Sequence, residues 1–131
     1  MTNSSTSEDR RTTGWLLDPD DRARLLAAFP PTYPNIVAHH VTLQSSHGAG
    51  DPPLPAAAHG QVVGRADDGA GVEALVVAIA GTTERPSGGH YHITWSLAEG
   101  RRAKESNDVI AARGWQELDG GHVKLVPAVL A

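Results

Sequence analysis

Residues 88–97 constrain the fold more than any other stretch, because polar and apolar side chains alternate along them. The polar set is His90, His92, Thr94 and Ser96, and the apolar set is Tyr91, Ile93, Trp95 and Leu97. Successive side chains of a strand point to opposite faces of its sheet. The alternation therefore predicts a strand over residues 90–97, with one face in the core and the other lined by groups that exchange protons.

A second stretch, residues 35–43, repeats this arrangement. It carries His40-Val41-Thr42, and the first stretch carries His92-Ile93-Thr94. At a spacing of two residues, the histidine and the threonine of each pair face the same way. If the two strands border a common groove, two imidazoles and two hydroxyls surround one cavity. His39 falls on the opposite, apolar face of its strand and is expected to be a hydrogen-bonded core residue.

Two His-x-Thr pairs around one cavity suit phosphodiester chemistry. One histidine can take a proton from an attacking water while the other protonates the leaving oxygen. The threonine hydroxyls, with backbone N–H groups, can hold the non-bridging phosphate oxygens as charge builds on them. The alternative is a zinc site built from several of the seven histidines, but the helical i, i+4 spacing of the usual signature is missing. The pattern therefore predicts neither a metal nor another cofactor.

The rest of the chain predicts one α+β domain over residues 15–131, preceded by a disordered polar tail over residues 1–14. Asp18-Pro19 predicts the start of a helix that ends before Pro30-Pro31. Strands are expected at 59–66, 72–80 and 122–130, with a hairpin turn at 67–69 and another turn at 118–121. Residues 44–58 and 82–89 are expected to be loops, the first of them a candidate lid.

A second helix is expected between Ser106 or Asn107, either of which can cap its start, and Gly114, which ends it. The expected architecture is a curved, mainly antiparallel sheet arrangement around a central groove, with two helices outside.

Composition limits the function classes. The formal net charge of −4 argues against broad, charge-driven binding to a long nucleic acid, which needs a basic face. The absence of cysteine excludes thiol nucleophiles and disulfides. The apolar runs are too short to span a bilayer, and residues 1–14 contain no apolar signal segment. A cytoplasmic protein without membrane contact is expected.

The motifs resemble those of the 2H phosphoesterase superfamily, and within it the cyclic phosphodiesterase domain of fungal-type tRNA ligases and related RNA-repair proteins. The residues that carry the resemblance are Tyr33-Pro34, His40-Val41-Thr42-Leu43, His90-Tyr91-His92-Ile93-Thr94 and Lys104-Glu105-Ser106-Asn107-Asp108-Val109-Ile110. The match covers about residues 33–44 and 88–130. This chain is shorter than many members, which puts recognition of the base or of a longer RNA in doubt.

The resemblance implies a metal-independent hydrolase that opens a nucleoside 2′,3′-cyclic phosphate to a 2′-phosphate. His92 would be the base that activates water, His40 the acid at the 3′-oxygen, and Thr42 and Thr94 the phosphate ligands. The expected substrate is a small nucleotide or an RNA 3′ end, and the expected state is a monomer. Two alternatives stay open: a module that binds a nucleotide or RNA end without cleaving it, and an accessory domain working beside an RNA ligase or kinase.

Several further residues are candidate accessories of this site. His90 is expected on the same face as His92, and Tyr33 precedes the first motif, where it could stack on a base. A basic run after the second motif could contact RNA phosphates. The helix start downstream could hold the second motif in place. The residues of these last two groups are Arg101, Arg102 and Lys104, and Ser106 and Asn107.

Overall fold

The computed structural model describes residues 11–46 and 53–130. These residues form an α+β fold with seven strands and two helices. The strands are β1 (Arg11–Leu17), β2 (Asn35–Ile36), β3 (His40–Ser46), β4 (Ala58–Asp67), β5 (Val72–Ile79), β6 (His92–Leu97) and β7 (Gln116–Val129). The helices are α1 (Pro19–Ala28) and α2 (Glu105–Arg113). Within the described ranges, no helix has the length and apolar character needed to cross a membrane.

All strand pairs are antiparallel, in the order β2-β6-β5-β4-β7-β1-β3. The two outer strands of this order, β2 and β3, belong to one continuous segment, residues 35–46. Its first part pairs with β6, and the backbone N–H groups of Val37 and Ala38 continue this pairing to the carbonyls of Trp95 and Thr94 at 3.0 and 2.9 Å. Its second part pairs with β1. The sheet therefore curls until β3 lies beside β6.

Apolar side chains from both helices close the two sides of the sheet. Leu25 of α1 is fully buried, and the indole N–H of Trp95 donates to the carbonyl of Phe29 at 2.8 Å. The main core also contains Trp15, Val41, Val62, Leu75, Val77, Tyr91, Ile93, Val123 and Leu125. A second cluster packs Val109 and Ile110 of α2 against Ala74, Val76 and Leu97. The alternate apolar residues of β6 thus reach the core, as their spacing predicts.

Helix α1 and the β4–β5 hairpin lie where the sequence signals place them. The carboxylate of Asp18 accepts from the N–H of Asp21 at 3.0 Å, and Pro19 opens the helix. The turn between β4 and β5 is held by Asp68, whose carboxylate accepts from the N–H groups of Ala70 and Val72. Both signals are local, which is why they are readable from sequence.

The expected tail is too long, because residues 11–14 belong to β1. Thr13, Trp15 and Leu17 are buried, so this strand also follows a period of two. Its polar N-terminal half hides that period, since an inward threonine does not mark a core face. Residues 1–10 of the expected tail, and residues 47–52 of the expected lid loop, lie outside the described residues.

The expected turn at 118–121 is wrong, because β7 runs continuously through it. Gly121 has a φ of 77°, and the register between β4 and β7 shifts between Val62 and Gly64. A Cβ on Gly120 would lie 2.6 Å from Val62. The two glycines therefore permit an irregular, closely packed stretch inside a strand.

The single strand expected over 35–43 is interrupted at residues 37–39, where Ala38 has a φ of 44°. A left-handed backbone conformation is rare for a residue other than glycine. At Ala38 it changes which side chains of the segment share a face. Ala38 is fully buried and His39 is exposed. The expectation that His39 is a core residue is wrong for this reason.

Candidate active site

A cavity of about 420 Å³ lies between β3 and β6, bordered by the loop before β6 and the start of α2. Both His-x-Thr pairs line it. The lining residues are Thr12, His40, Thr42, Leu43, Gln44, Arg85, Ser87, Gly88, His92, Thr94, Ala103, Lys104 and Asn107. The two motifs, which are far apart in sequence, meet because residues 35–46 leave β6 after Ala38 and join β1. The space opened by this change of partner is the cavity.

His92 is oriented by a backbone carbonyl. Its Nδ1 lies 2.9 Å from the carbonyl oxygen of His90, which can only accept, so Nδ1 carries the hydrogen. The other ring nitrogen, Nε2, is then unprotonated in the neutral ring. Burial, with smaller contributions from the charges of Arg85 and His40, lowers the pKa of His92 to about 4, although the bond to His90 raises it. His92 is therefore a neutral proton acceptor across the physiological range.

His40 is oriented by another histidine. Its Nδ1 lies 3.0 Å from Nδ1 of His39, and the two rings are nearly perpendicular, at 83°. His40 is half-buried and His39 is exposed. Burial, followed by the charge of His39, lowers the pKa of His40 below its ordinary value. The Nε2 atom of His40 is the nitrogen left for a ligand in the cavity.

The two threonines differ in their surroundings. Thr94 is buried, and its hydroxyl donates to the carbonyl of Ala103 at 3.2 Å and lies 2.9 Å from the hydroxyl of Ser106. Since Thr94 has one hydroxyl hydrogen, Ser106 is the donor between them. To donate to a ligand, Thr94 must turn away from Ala103. Thr42 is half-buried on β3 and lines the opposite side of the cavity.

Arg85 is a lining residue that the sequence does not reveal. Its Nε donates to the carbonyl of Gly88 and its Nη2 to the side-chain oxygen of Asn107, both at 2.9 Å. Burial lowers the pKa of Arg85 below its ordinary value. The loop that carries it is fastened to β3 by Ser87, whose hydroxyl donates to the carbonyl of Leu43 at 2.8 Å. A lone arginine between glycines and a proline gives no pattern from which this role could be read.

The lining of the cavity is electropositive. Arg85 and Lys104 are its two permanently charged residues, and none of the lining residues in the described part of the chain is acidic. This contrasts with the formal charge of −4 of the whole protein. A cavity with two cations, two imidazoles and several hydroxyl and amide groups suits a small anionic ligand.

Two of the expected accessory residues, Lys104 and Asn107, line the cavity, and Ser106 supports it from behind Thr94. The expected capping by Ser106 or Asn107 is wrong. Helix α2 begins at Glu105, and its N-cap, two residues before Ser106, is Lys104, which gives no side-chain cap. The hydroxyl of Ser106 serves the neighbouring strand instead.

The other expected accessory residues do not line the cavity. The ring of His90 contacts Thr83 and Trp115, and only its carbonyl reaches His92. The hydroxyl of Tyr33 donates to Asp67 at 2.6 Å. Arg101 forms ion pairs with Asp68 and Glu105, at 2.9 and 3.0 Å. Arg102 is exposed.

Ser96, expected on the same polar face as His92, is engaged elsewhere. Its hydroxyl donates at 2.6 Å to Glu73, a fully buried carboxylate of β5. Glu73 also accepts from Arg65 at 2.7 Å and from the N–H of Thr32 at 2.9 Å. This network ties the segment before β2 to β5 and to β6, the strand that carries His92 and Thr94.

Comparison with known proteins adds no relative to this picture. No family model, no curated protein and no solved structure matches the chain. Among the described residues, no group of three or more His, Cys, Asp and Glu side chains is arranged to hold a metal ion. The chemistry of the cavity is therefore derived from its own residues.

Proposed function

We propose that this chain is a 2H-type phosphoesterase that hydrolyses a 2′,3′-cyclic phosphate on a small nucleotide or an RNA end. The observation that carries the proposal is the meeting of both His-x-Thr pairs in one cavity that also holds Arg85 and Lys104. Two imidazoles that can transfer protons, two threonine hydroxyls and two cationic side chains are then available to one ligand. This combination favours a reaction at a phosphate over simple hydrophobic binding.

The reaction uses the two imidazoles in different roles. Nε2 of His92 takes a proton from a water molecule as its oxygen forms a bond to phosphorus. The bond between phosphorus and the 3′-oxygen breaks, and this oxygen takes the proton carried on Nε2 of His40. The product is a 2′-phosphate with a free 3′-hydroxyl. The lowered pKa of His92 suits the base, since a base must be neutral before it acts.

The cations and hydroxyls hold the phosphate during this step. Arg85 is fixed by Gly88 and Asn107, so its guanidinium needs little reorganisation when a ligand enters. Thr42 and Thr94 approach from the two strands, and Lys104 from the start of α2. Positive charge that is already in place stabilises an anionic ligand, and stabilises its more highly charged transition state further.

A second candidate function is binding of a nucleotide or RNA end without cleavage. The observation that favours it is the lowered pKa of both His40 and His92. At neutral pH both rings are then mostly uncharged in the empty site, so the acid of the proposed reaction is not loaded on His40. The two functions differ in whether a cyclic phosphate is turned over.

The test is incubation of a 2′,3′-cyclic nucleotide with chelator-treated protein, followed by separation of the products. Turnover is expected to survive the chelator and to fall by about 10²-fold or more in His40→Ala and His92→Ala. His59→Ala is the matched control, because His59 is exposed on β4 and does not line the cavity. Tight binding without turnover would support the second function. Turnover that disappears with chelator would contradict the mechanism.

A further inference from the structure

The hydrogen-bond partner of Nδ1 differs between the two cavity histidines. His92 faces a carbonyl, which fixes its hydrogen on Nδ1. His40 faces a second imidazole through Nδ1, at 3.0 Å. A hydrogen bond between two ring nitrogens holds a single hydrogen, which either ring can own. The pair can therefore exchange a proton, whereas His92 has no titratable partner at Nδ1.

We propose that His39 is a positioning residue that supplies the proton His40 delivers, so that the two rings work as one acid. This inference rests on the proposed phosphoesterase function. His39 donates its Nδ1 hydrogen to Nδ1 of His40, which places the hydrogen of His40 on Nε2, toward the cavity. His40 thereby has the tautomer opposite to that of His92. The first is set to give a proton and the second to take one.

The proton transfer balances as follows. The pair starts with one positive charge, on His39. The 3′-oxygen takes the Nε2 hydrogen of His40, and Nδ1 of His40 takes the Nδ1 hydrogen of His39, which becomes neutral. On the other side of the cavity, His92 gains the proton of the water and becomes positive. Solvent then protonates Nε2 of His40 as its Nδ1 hydrogen returns to His39, and solvent removes the proton of His92.

The surroundings of the pair explain why a second ring is needed. His40 is half-buried, and the charged and titratable groups that line the cavity with it are His92 on β6, Arg85 on the preceding loop and Lys104 before α2. From α1, the Nε of Arg22 donates to the carbonyl of Ala38 at 2.6 Å. None of these groups is a carboxylate. A positive charge is therefore opposed on His40 and is better solvated on the exposed ring of His39.

The position of His39 follows from the break in the strand. A regular strand would point the side chains of neighbouring residues to opposite faces. Ala38, with its φ of 44°, ends the pairing with β6, and β3 begins only at His40. The rings of His39 and His40 can then meet at a centroid distance of 5.2 Å.

The first experiment determines which ring nitrogen of each histidine carries hydrogen, and at which pH the ring is protonated. It uses ¹⁵N chemical shifts of the histidine-labelled protein over a pH series. We expect neutral His40 to carry its hydrogen on Nε2 and neutral His92 on Nδ1. In His39→Gln, the amide can still donate to Nδ1 of His40, so the hydrogen of His40 is expected to stay on Nε2. The protonation midpoint of His40 is expected to move to higher pH, because the charge of His39 no longer opposes a charge on His40. A hydrogen of neutral His40 found on Nδ1 in the parent protein, or a midpoint that does not change in His39→Gln, would overturn the proposal.

The second experiment measures kcat/KM on a 2′,3′-cyclic nucleotide. We expect kcat/KM of His39→Gln to fall by about 10- to 100-fold, since His40 keeps its position but loses the ring that supplies its proton. Added imidazole should restore part of this loss, and His122→Gln, an exposed histidine of β7 outside the cavity, should match the parent. Full activity in His39→Gln with no activity in His40→Ala would overturn the relay and leave the phosphoesterase standing. Inactive parent protein would overturn the phosphoesterase and the relay together, whatever the ¹⁵N spectra show.

Discussion

Substitution of Arg85 by glutamine tests the electropositive cavity most directly. Arg85 is half-buried, and it is held by Gly88 and Asn107 rather than by an acidic residue within the described part of the chain. Its charge is therefore available to a ligand. The amide nitrogen of glutamine corresponds in chain position to Nε of arginine and can still donate to the carbonyl of Gly88, so the loop loses little order while the cavity loses one of its two permanent charges.

The expected magnitude follows from the exposure of the site. Two opposite charges about 4 Å apart interact by about 4 kcal/mol at the effective dielectric constant of a protein surface. A hydrogen bond to a charged group contributes about 1.5–3 kcal/mol net of its solvation. Because the cavity is open to solvent, a loss of about 2–3 kcal/mol is expected for Arg85→Gln. This corresponds to a decrease of about 30- to 150-fold in kcat/KM.

The assay is hydrolysis of a 2′,3′-cyclic nucleotide at several salt concentrations, with binding of the 2′-phosphate product measured by calorimetry. Arg85→Lys should lose only about 10-fold, since it keeps the charge but not the forked geometry. Arg102→Gln is the matched control, because Arg102 is exposed and does not line the cavity. If Arg85→Gln stays within about twofold of the parent in both activity and product affinity, the cavity does not use this charge, and the argument from its lining fails.

Three further predictions concern the histidines and the groups behind them. The acidic limb of the kcat/KM profile should lie near pH 4, since below the pKa of about 4 the base His92 is protonated; a flat profile between pH 3 and 8 would contradict this role. Ser106→Ala should cost about 1–2 kcal/mol of unfolding free energy in urea titration and should lower kcat/KM, because the buried Thr94 hydroxyl loses its donor; unchanged kinetics would show that the orientation of Thr94 is irrelevant. Glu73→Ala should cost about 3–5 kcal/mol, because Arg65 and three other donors lose a buried acceptor; a cost below about 1 kcal/mol would contradict the supporting role of the network.

The parts of the fold that the sequence predicts are those with local signals. Asp18 and Pro19 fix the start of α1 through groups within one turn, and the Asp67-Asp68-Gly69 turn joins β4 to β5. The missed strand β1 has partners only at distant positions, in β3 and β7. Its residues form no turn or helix cap, so no local signal in the sequence indicates a strand there. Gly120 and Gly121 mark a turn and an irregular strand equally well, and tertiary packing decides between them.

For the candidate site, the two motifs could be identified from the sequence, but their neighbours could not. His40, Thr42, His92 and Thr94 follow from a period of two within short stretches, and the structure brings all four to one cavity. Arg85 depends on the path of an irregular loop, which no periodicity describes. The expectation that His39 lies in the core counts the alternation through Ala38, an alanine that gives no sign of its left-handed backbone.

The same backbone irregularity accounts for both the cavity and the histidine pair. If residues 35–46 formed one regular strand, the segment would pair with β6 along its whole length, and His40 would lie in a ladder directly opposite His92 with no cavity between them. The turn at Ala38 diverts the segment to β1, which opens the space between β3 and β6 and brings the ring of His39 beside that of His40. Strain at a non-glycine residue persists only where the surrounding structure holds it. Here Ala38 is fully buried, its N–H donates to Thr94 and its carbonyl accepts from Arg22, so both halves of the site depend on one constrained residue.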